Sequence, residues 1–324
     1  MRVISGGALI ALALLAAFSH HATAQDYPSH PVTILVPFAP GGGTDMLARV
    51  VAQKLEQRLG KPFIIENRLG AGTVVAAVAT AKATPDGYTL MQATSGTMAM
   101  NSAIFKSLPY DPAKDLAPVA LVAGIPFVLV VNASLPIHSV ADLVKLAKEK
   151  LLNYGSGGVG AFHHLNAEML SSMTGIKMTH VPYKGSAPAL TDLVAGHIQV
   201  LFVDIAPSLE LIRSGKIRAL GITSAEPAAA APEIQPLAKV GVPGYDAVSW
   251  QALVAPARTP PAILSRLNAE VNAIVATAEV QKQLVDLGMI PLGKRSLAEI
   301  DAYTKTEIVR WGKVVQDAGF AGSQ

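Results

Sequence analysis

The sequence of 324 residues contains no cysteine, and only 5% of it is aromatic and 15% charged. Without cysteine there can be no disulfide framework, cysteine zinc site or thiol nucleophile. The formal net charge is +3, and Lys and Arg are scattered, so we expect no nucleic-acid partner. After the N-terminal region, no segment reaches the roughly 20 apolar residues of a membrane helix. The composition predicts a folded chain long enough for two domains.

Residues 1–24 have the pattern of a secretory signal peptide. Arg2 precedes an apolar run over residues 7–18, and Ala22-Thr23-Ala24 has the small residues of a cleavage site. The apolar run is too short to span a bilayer comfortably. We therefore predict export, cleavage after Ala24 and, in a cell with two membranes, a location in the periplasm.

Strand-like apolar runs alternate with amphipathic helical runs from residue 31 to about residue 224. This alternation predicts an α/β fold with mostly parallel sheets flanked by helices. One more strand and three helical runs follow, and these helices must pack on a sheet formed elsewhere in the chain. We predict a first lobe from residues 25–126 plus 247–324 and a second from residues 127–246. The segments "FVLVVN" and "SWQALVAP" would form a two-segment hinge, and such lobes close on a ligand.

The loop "PFAPGGGTD" at residues 37–45 is the first candidate binding loop. Gly41, Gly42 and Gly43 allow backbone N–H groups to turn toward an anion. Thr44 or Asp45 would cap the following helix, and capping is favoured over direct ligand contact for Asp45. A P-loop is excluded, because no Lys follows the glycines.

The stretch "NYGSGGVGAFHHL" at residues 153–165 contains Gly155, Gly157 and Gly160 at the spacing G-x-G-x-x-G. This spacing occurs in Rossmann dinucleotide sites, but a strand, glycine loop and helix also hold other small anions. The following strand, "KMTHVPY", lacks the acidic residue that would bind ribose hydroxyls. The pattern favours an anion loop, and we expect no cofactor.

Other candidate positions have two readings each. Thr94, Ser95 and Thr97 follow a strand and form either a binding loop or a plain turn. Asp204 would meet a polar ligand group or cap the next helix. His163 and His164 are adjacent and point apart, so we expect no metal site and one internally hydrogen-bonded histidine.

The sequence predicts no enzyme. It has no G-x-S-x-G around a serine and no other catalytic constellation. Exported proteins with two closable lobes usually bind and deliver a solute, which is an argument by analogy of fold.

Several segments in order along the mature chain carry a family resemblance, among them "VTILVPFAPGGGTDMLAR", "ENRLGAG", "TPDGYTLM", "LNYGSGG", "VPYKGSAPALTDLVAGHIQVLF" and "GKIRALGITS". They resemble the Bug-type solute receptors of tripartite tricarboxylate transporters. The resemblance implies a type II-like periplasmic binding protein fold that traps a small carboxylated solute. Backbone N–H groups and ordered waters would hold the carboxylate between the "PGGG" and "YGSGG" loops. A monomeric receptor would then deliver the solute to large and small membrane subunits.

The glycine placement and the resemblance together give one set of candidate ligand-binding residues. The set is Phe38, Ala39, Pro40, Gly41, Gly42, Gly43, Thr44, Thr94, Ser95, Thr97, Ser156, Gly157, Gly160, Ala161, Phe162 and Asp204.

The chain departs from the family pattern at two places. Val159, Ala161 and Phe162 replace a polar run, and Val203 stands where an Asp is often found, with Asp204 one position later. These changes predict a more apolar pocket for a monocarboxylate or aromatic carboxylate rather than citrate. Two other functions stay open, a sensory receptor that docks a membrane kinase and an exported enzyme that uses the cleft.

Overall fold

A computed structural model describes residues 27–323, so the predicted signal peptide lies outside the described residues. The strands are β1 (Val32–Val36), β2 (Phe63–Asn67), β3 (Thr89–Thr94), β4 (Leu116–Asn132), β5 (Leu152–Ser156), β6 (Met178–Pro182), β7 (Val200–Asp204), β8 (Ile217–Ile222), β9 (Val248–Pro256) and β10 (Ile290–Pro291). The helices are α1 (Gly43–Leu59), α2 (Val74–Ala81), α3 (Asn101–Ile104), α4 (Pro112–Asp115), α5 (Val140–Glu149), α6 (Phe162–Thr174), α7 (Ser186–Ala195), α8 (Ile205–Arg213), α9 (Pro261–Val275), α10 (Ala278–Asp286) and α11 (Leu297–Asp317). A π-helical turn, Gly96–Met100, precedes α3.

The first lobe is built on one mixed sheet. Strand β1 pairs in parallel with β2 and β3, while β9 lies antiparallel between β3 and the first part of β4. The short β10 extends the sheet beside β4. Helices α9 and α11 pack against β4, so the expectation that the C-terminal helices cover the first sheet is confirmed.

The second lobe is built on a second mixed sheet. Strand β5 pairs in parallel with β6 and β7, and both β7 and β8 lie antiparallel to the last part of β4. The predicted two-lobe α/β fold with helices on the sheets is confirmed. The antiparallel pairs of the two sheets all involve β4 or β9, and of these two strands only β4 runs through both lobes.

Strand β4 passes from one lobe to the other without a break. It pairs with β9 as far as Pro126 and with β7 from Phe127 onward. The Phe127 N–H donates to Thr223 Oγ1 over 2.9 Å, and the N–H groups of Thr223 and Ala247 donate to the carbonyls of Phe127 and Thr223. We propose that this hydrogen-bonded crossing is the hinge, with lobe boundaries at residues 126/127 and 246/247.

Local sequence explains where the main helices begin and end. Helix α1 ends at Gly60, which adopts a left-handed conformation with φ of 69°. Ser139 begins α5 by accepting a hydrogen bond from the Asp142 N–H. No helix among residues 27–323 is long and apolar enough to span a membrane.

Candidate ligand-binding site

The first candidate loop connects β1 to the N-terminus of α1. Helix α1 begins at Gly43, and its N-cap residue is Gly42, which has an extended backbone and no side chain to cap the helix. The expectation that Thr44 or Asp45 is the cap was therefore wrong. With glycine at both positions, the first N–H groups of α1 are left for another acceptor. The positive end of the helix dipole also favours an anion there.

Asp45 holds the loop in place from the first turn of α1. Its carboxylate accepts hydrogen bonds from the Gly41 N–H over 3.1 Å, from Arg49 over 2.9 and 3.1 Å and from Asn67 over 2.9 Å. Burial favours the neutral acid, but these donors outweigh it and hold the pKa of Asp45 below its ordinary value. Asp45 thus fixes the shape of the glycine loop from behind.

Asp204 faces α1 from the second lobe. It is the residue before α8, but in the described chain its carboxylate does not cap that helix, so the capping alternative was wrong. The carboxylate instead accepts a hydrogen bond from the Ser186 hydroxyl and lies against Gly43, where a Cβ atom would come within 2.9 Å of Oδ1. Asp204 is 4% exposed. Its charge therefore depends on nearby donors rather than on water.

The surroundings of Asp204 favour its ionised form. Burial by itself would raise the pKa, but His163, the Ser186 hydroxyl and the Gly43 N–H hold the pKa of Asp204 below its usual value. His163 Nε2 lies 2.8 Å from Ser186 Oγ and 3.8 Å from Asp204 Oδ2. The arrangement is thus a buried carboxylate that accepts a hydrogen bond from Ser186 of its own lobe and lies against Gly43 of the other lobe.

His163 is the histidine that is hydrogen-bonded internally, as expected. Its ring packs edge-on between Phe127 and Phe38, with ring centroids 4.8 and 6.0 Å apart. The serine lies between the histidine and the carboxylate, whereas in a catalytic triad the histidine lies between the other two. The Ser186 hydroxyl donates its hydrogen bond to the Asp204 carboxylate and not to His163, as a serine activated by a histidine would.

Further contacts join the glycine loop to the second lobe. The Ala39 N–H donates to the Lys184 carbonyl over 2.8 Å, and Gly185, with φ of 151°, lies so close that its Cβ would come within 3.1 Å of the Ala39 nitrogen. Farther along the cleft, Gly72 lies beside the Val159 carbonyl. In this structure the two lobes are closed on each other along these loops.

A groove of about 290 Å³ lies between the lobes at the edge of this contact. It is lined by Pro37, Gly70, Ala71, Gly72, Gly157, Gly158, Val159, Pro182, Tyr183 and Lys184. Of the predicted ligand-binding residues, only Gly157 lines it. The loop at residues 70–72 was not among the candidates, although it also follows a strand, β2, and carries two glycines.

The structure brings part of the predicted set together and places the rest elsewhere. The contact between His163, Ser186 and α1 is surrounded by five of the predicted residues: Phe38, Gly42, Gly43, Gly157 and Asp204. Gly41 lies beside Ala187. Ala39 is partly exposed beside this contact, and Pro40 is exposed to solvent. Thr44 is buried in the first turn of α1.

Several predicted polar groups are engaged in the interior. Thr94 and Thr97 hydrogen-bond to each other's backbone and hydroxyl groups, and Ser95 Oγ lies 3.1 Å from Ser249 Oγ. Ser156 Oγ lies 2.6 Å from His180 Nε2 and also contacts Gly158. These hydroxyls support the loops rather than line the groove.

The remaining predicted residues begin α6. Ala161 is the N-cap residue of α6, and Gly160 lies against Asn101 and Phe105 of the first lobe. The Phe162 ring packs on Phe127 and Trp311, with centroids 5.5 and 5.0 Å apart. Phe162 is therefore part of the apolar core between the lobes in this conformation.

A larger hollow, about 480 Å³, lies on the second lobe beside β8. The guanidinium group of Arg218 in this hollow already donates to the carbonyls of Ala133, Leu135 and Ile137. The glycine loops do not line it. Among residues 27–323 there is no cluster of three or more His, Asp or Glu side chains that could hold a metal ion.

Comparison with known proteins identifies the family. Residues 47–320 match the model of the tripartite tricarboxylate transporter family receptor. The solved structure of Rpa4515 of R. palustris with adipate is 39% identical and has a TM-score of 0.87, covering 91% of this chain and 99% of its own. The solved structure of MatC of Rhodopseudomonas palustris with bound malate is 33% identical and has a TM-score of 0.85. The match covers 89% of this chain and 100% of the MatC chain.

A third solved structure, of the periplasmic binding protein BugD, is 28% identical with a TM-score of 0.86 and covers 91% of this chain and 99% of its own. The agreement extends over both lobes. The chain therefore belongs to the tripartite tricarboxylate transporter receptor family and has the fold of a Bug-type periplasmic binding protein.

Proposed function

We propose that this chain is a periplasmic solute receptor that binds a small carboxylated compound between its lobes. One observation carries the proposal. The N-terminus of α1 meets a carboxylate in this structure, that of Asp204, which lies against Gly43 and accepts the Ser186 hydroxyl, and its surroundings hold its pKa below the usual value. A helix N-terminus that accommodates one carboxylate can accommodate another of similar size.

The relatives support a carboxylate as the solute. Rpa4515 and MatC were solved with adipate and malate, which are both small dicarboxylates. In this chain the loops at residues 37–43, 70–72 and 157–159 would surround the solute, with backbone N–H groups and bridging waters as its main partners. The groove beside Val159 and Tyr183 would hold the rest of the molecule.

The energetics require closure of the lobes. A helix N-terminus stabilises an anion by about 0.3 to 1 kcal/mol when exposed and up to ~2 when partly buried. Micromolar binding needs about 8 kcal/mol. Hydrogen bonds to a charged group, at about 1.5 to 3 kcal/mol each, supply the difference when closure removes water. The closed receptor would present a distinct surface to the large and small membrane subunits of a tripartite transporter.

The maturation and assembly of the protein belong to the same proposal. Cleavage after Ala24 would release a monomer into the periplasm, with Gln25 as its first residue. Mass spectrometry of the exported protein measures the cleavage site, and light scattering measures the monomer.

The test is a thermal unfolding screen of residues 25–324 against adipate, malate, citrate, benzoate and NAD. A ligand at about 100 times its dissociation constant stabilises the fold by about 2.7 kcal/mol. We expect a clear rise in melting temperature with at least one carboxylate. A rise with NAD alone would instead assign the glycine loops to a dinucleotide.

Two variants of one residue test the location of the carboxylate. Gly43 is the first residue of α1, where Pro is well tolerated, so Gly43→Pro removes the backbone N–H without breaking the helix. Gly43→Ala adds a similar Cβ atom but keeps the N–H. We expect Gly43→Pro to bind the carboxylate at least about tenfold more weakly than Gly43→Ala, since one charge-assisted hydrogen bond is lost. Equal affinities would place the carboxylate elsewhere.

A further inference from the structure

The carboxylate at the N-terminus of α1 is part of the chain itself. Asp204 belongs to the second lobe and Gly43 to the first, and the two meet in the interior of the closed molecule. Asp204 thus lies where the proposed function would place the carboxylate of the solute. The inference below rests on that proposed function.

Asp204 is directed toward α1 by its own lobe. Its neighbour Val203 is buried in the apolar cluster of the second lobe, as expected when successive strand residues point to opposite faces. The Ser186 hydroxyl and His163 then hold the Asp204 carboxylate on the side that faces Gly43. The group is therefore positioned before the lobes meet.

The contact between Asp204 and α1 depends on closure, whereas the contacts with Ser186 and His163 do not. If the lobes separated, Asp204 would keep the Ser186 hydroxyl and the nearby His163 ring of its own lobe and would lose its contact with Gly43 and the α1 terminus. Only that interlobe part of its stabilisation favours the closed form. The contact between Asp204 and α1 can therefore hold the lobes together and still be displaced by a ligand that binds the same helix terminus more tightly.

A solute carboxylate and the Asp204 carboxylate cannot both be ionised at one helix terminus, because two negative charges in direct contact repel each other. We propose that Asp204 is an internal competitor of the solute. It closes the empty receptor by occupying the anion site of α1, and it must be displaced before a solute carboxylate binds there. Asp204 thereby lowers the apparent affinity for every anion that binds at this helix terminus.

The first experiment measures the empty protein. Small-angle X-ray scattering of residues 25–324 without solute compares the wild type with Asp204→Asn and with Asp286→Asn. The control removes the same charge at an exposed residue of α10 that pairs with Lys282. We expect a larger radius of gyration for Asp204→Asn only, because loss of a charge-assisted contact shifts the equilibrium about tenfold toward the open form. An unchanged radius would overturn the proposal.

Two further variants keep the test valid if Asp204→Asn folds poorly. Ser186→Ala leaves the carboxylate but removes the hydroxyl that directs it, and Gly43→Ala places a Cβ atom against Asp204 from the opposite lobe. Both should increase the radius in the same direction as Asp204→Asn. Circular dichroism confirms that each variant is folded before it is measured.

The second experiment measures binding by calorimetry with adipate, or with the carboxylate that gives the largest thermal shift. We expect Asp204→Asn to bind about tenfold more tightly than the wild type and than Asp286→Asn. Binding at least tenfold weaker would mean that Asp204 contacts the solute directly and would overturn the competition. If no variant binds any carboxylate, the proposed function fails, while the scattering result still decides whether Asp204 closes the empty lobes.

Discussion

Two stacked histidines in the second lobe predict a specific loss of stability in acid. His164 of α6 lies on His180 of β6, with ring centroids 3.8 Å apart and planes at 18°. Burial, with the neighbouring His180, lowers the pKa of His164 to about 3, and burial lowers that of His180 to about 4. Glu168 lies 3.8 Å from His164, but it accepts the Tyr154 hydroxyl and does not compensate for the burial.

The sign of the effect follows from proton binding. In the unfolded chain a histidine has a pKa of about 6.5, so below that pH the unfolded state binds protons that the folded state does not. Stability is therefore intact above pH 6.5 and falls as the pH drops toward the folded pKa values. For His164 the loss is about 2 kcal/mol at pH 5. His180 adds a smaller amount, because it is more exposed and solvent screens its charge.

Urea unfolding at pH 7 and pH 5 measures this effect. Wild type and His164→Phe are compared, because phenylalanine keeps a ring beside His180 and Phe320 but does not titrate. We expect the wild type to lose about 2 kcal/mol more than the variant between the two pH values. The carboxylates titrate alike in both proteins, so the difference between the two losses of stability excludes their contribution. Equal losses in the two proteins would refute the reasoning, and between pH 7 and 8 the two should behave alike.

Three further predictions concern packing and closure. Gly72→Ala would place a Cβ atom 2.2 Å from the Val159 carbonyl oxygen, so calorimetry should show at least about tenfold weaker solute binding. Gly60→Ala is the control, because Gly60 has a similar positive φ but nothing within 4 Å of its Cβ position. It should bind solute normally and lose only about 1 kcal/mol of stability. Glu307→Ala removes the carboxylate that accepts hydrogen bonds from the indole N–H groups of Trp250 and Trp311. Urea unfolding should show that the free energy of unfolding falls by about 2 to 5 kcal/mol, and by less for Glu307→Gln, which keeps an acceptor oxygen. A fall of under about 1 kcal/mol for Glu307→Ala, or equal falls for both variants, would contradict this prediction. Phe162→Ala should cost about 3 to 5 kcal/mol of stability, as expected for a core ring, and a loss of solute affinity at unchanged stability would show instead that Phe162 lines the pocket.

The elements of the fold were predictable because hydrophobic period and glycine position are local signals. The glycines at residues 60, 175 and 196 each end a helix with a positive φ, as such positions predict. Strand β4 was the main omission. The hinge segment "FVLVVN" is only the last part of this strand, which begins at Leu116. The preceding run of Ala, Val, Gly and Pro has no period, so periodicity does not identify it as a strand.

The candidate site was predictable as a set of loops but not as a set of contacts. The rule that ligands lie beyond the carboxyl ends of strands selected residues 38–44, Ser156, Gly157 and Asp204. It could not show that Asp204 meets Gly43, since that contact depends on how the lobes close. Nor could sequence separate Phe162, which packs on Trp311 from the far end of the chain, from a pocket residue.

The central claim is that the N-terminus of α1 holds the carboxylate of a solute. A crystal structure of residues 25–324, grown with the carboxylate that gives the largest thermal shift, tests it most directly. The account predicts a solute oxygen within about 3.2 Å of the Gly42 or Gly43 nitrogen, with Asp204 turned away from α1. A solute bound elsewhere, for example in the hollow beside β8, with Asp204 still against Gly43, would contradict it.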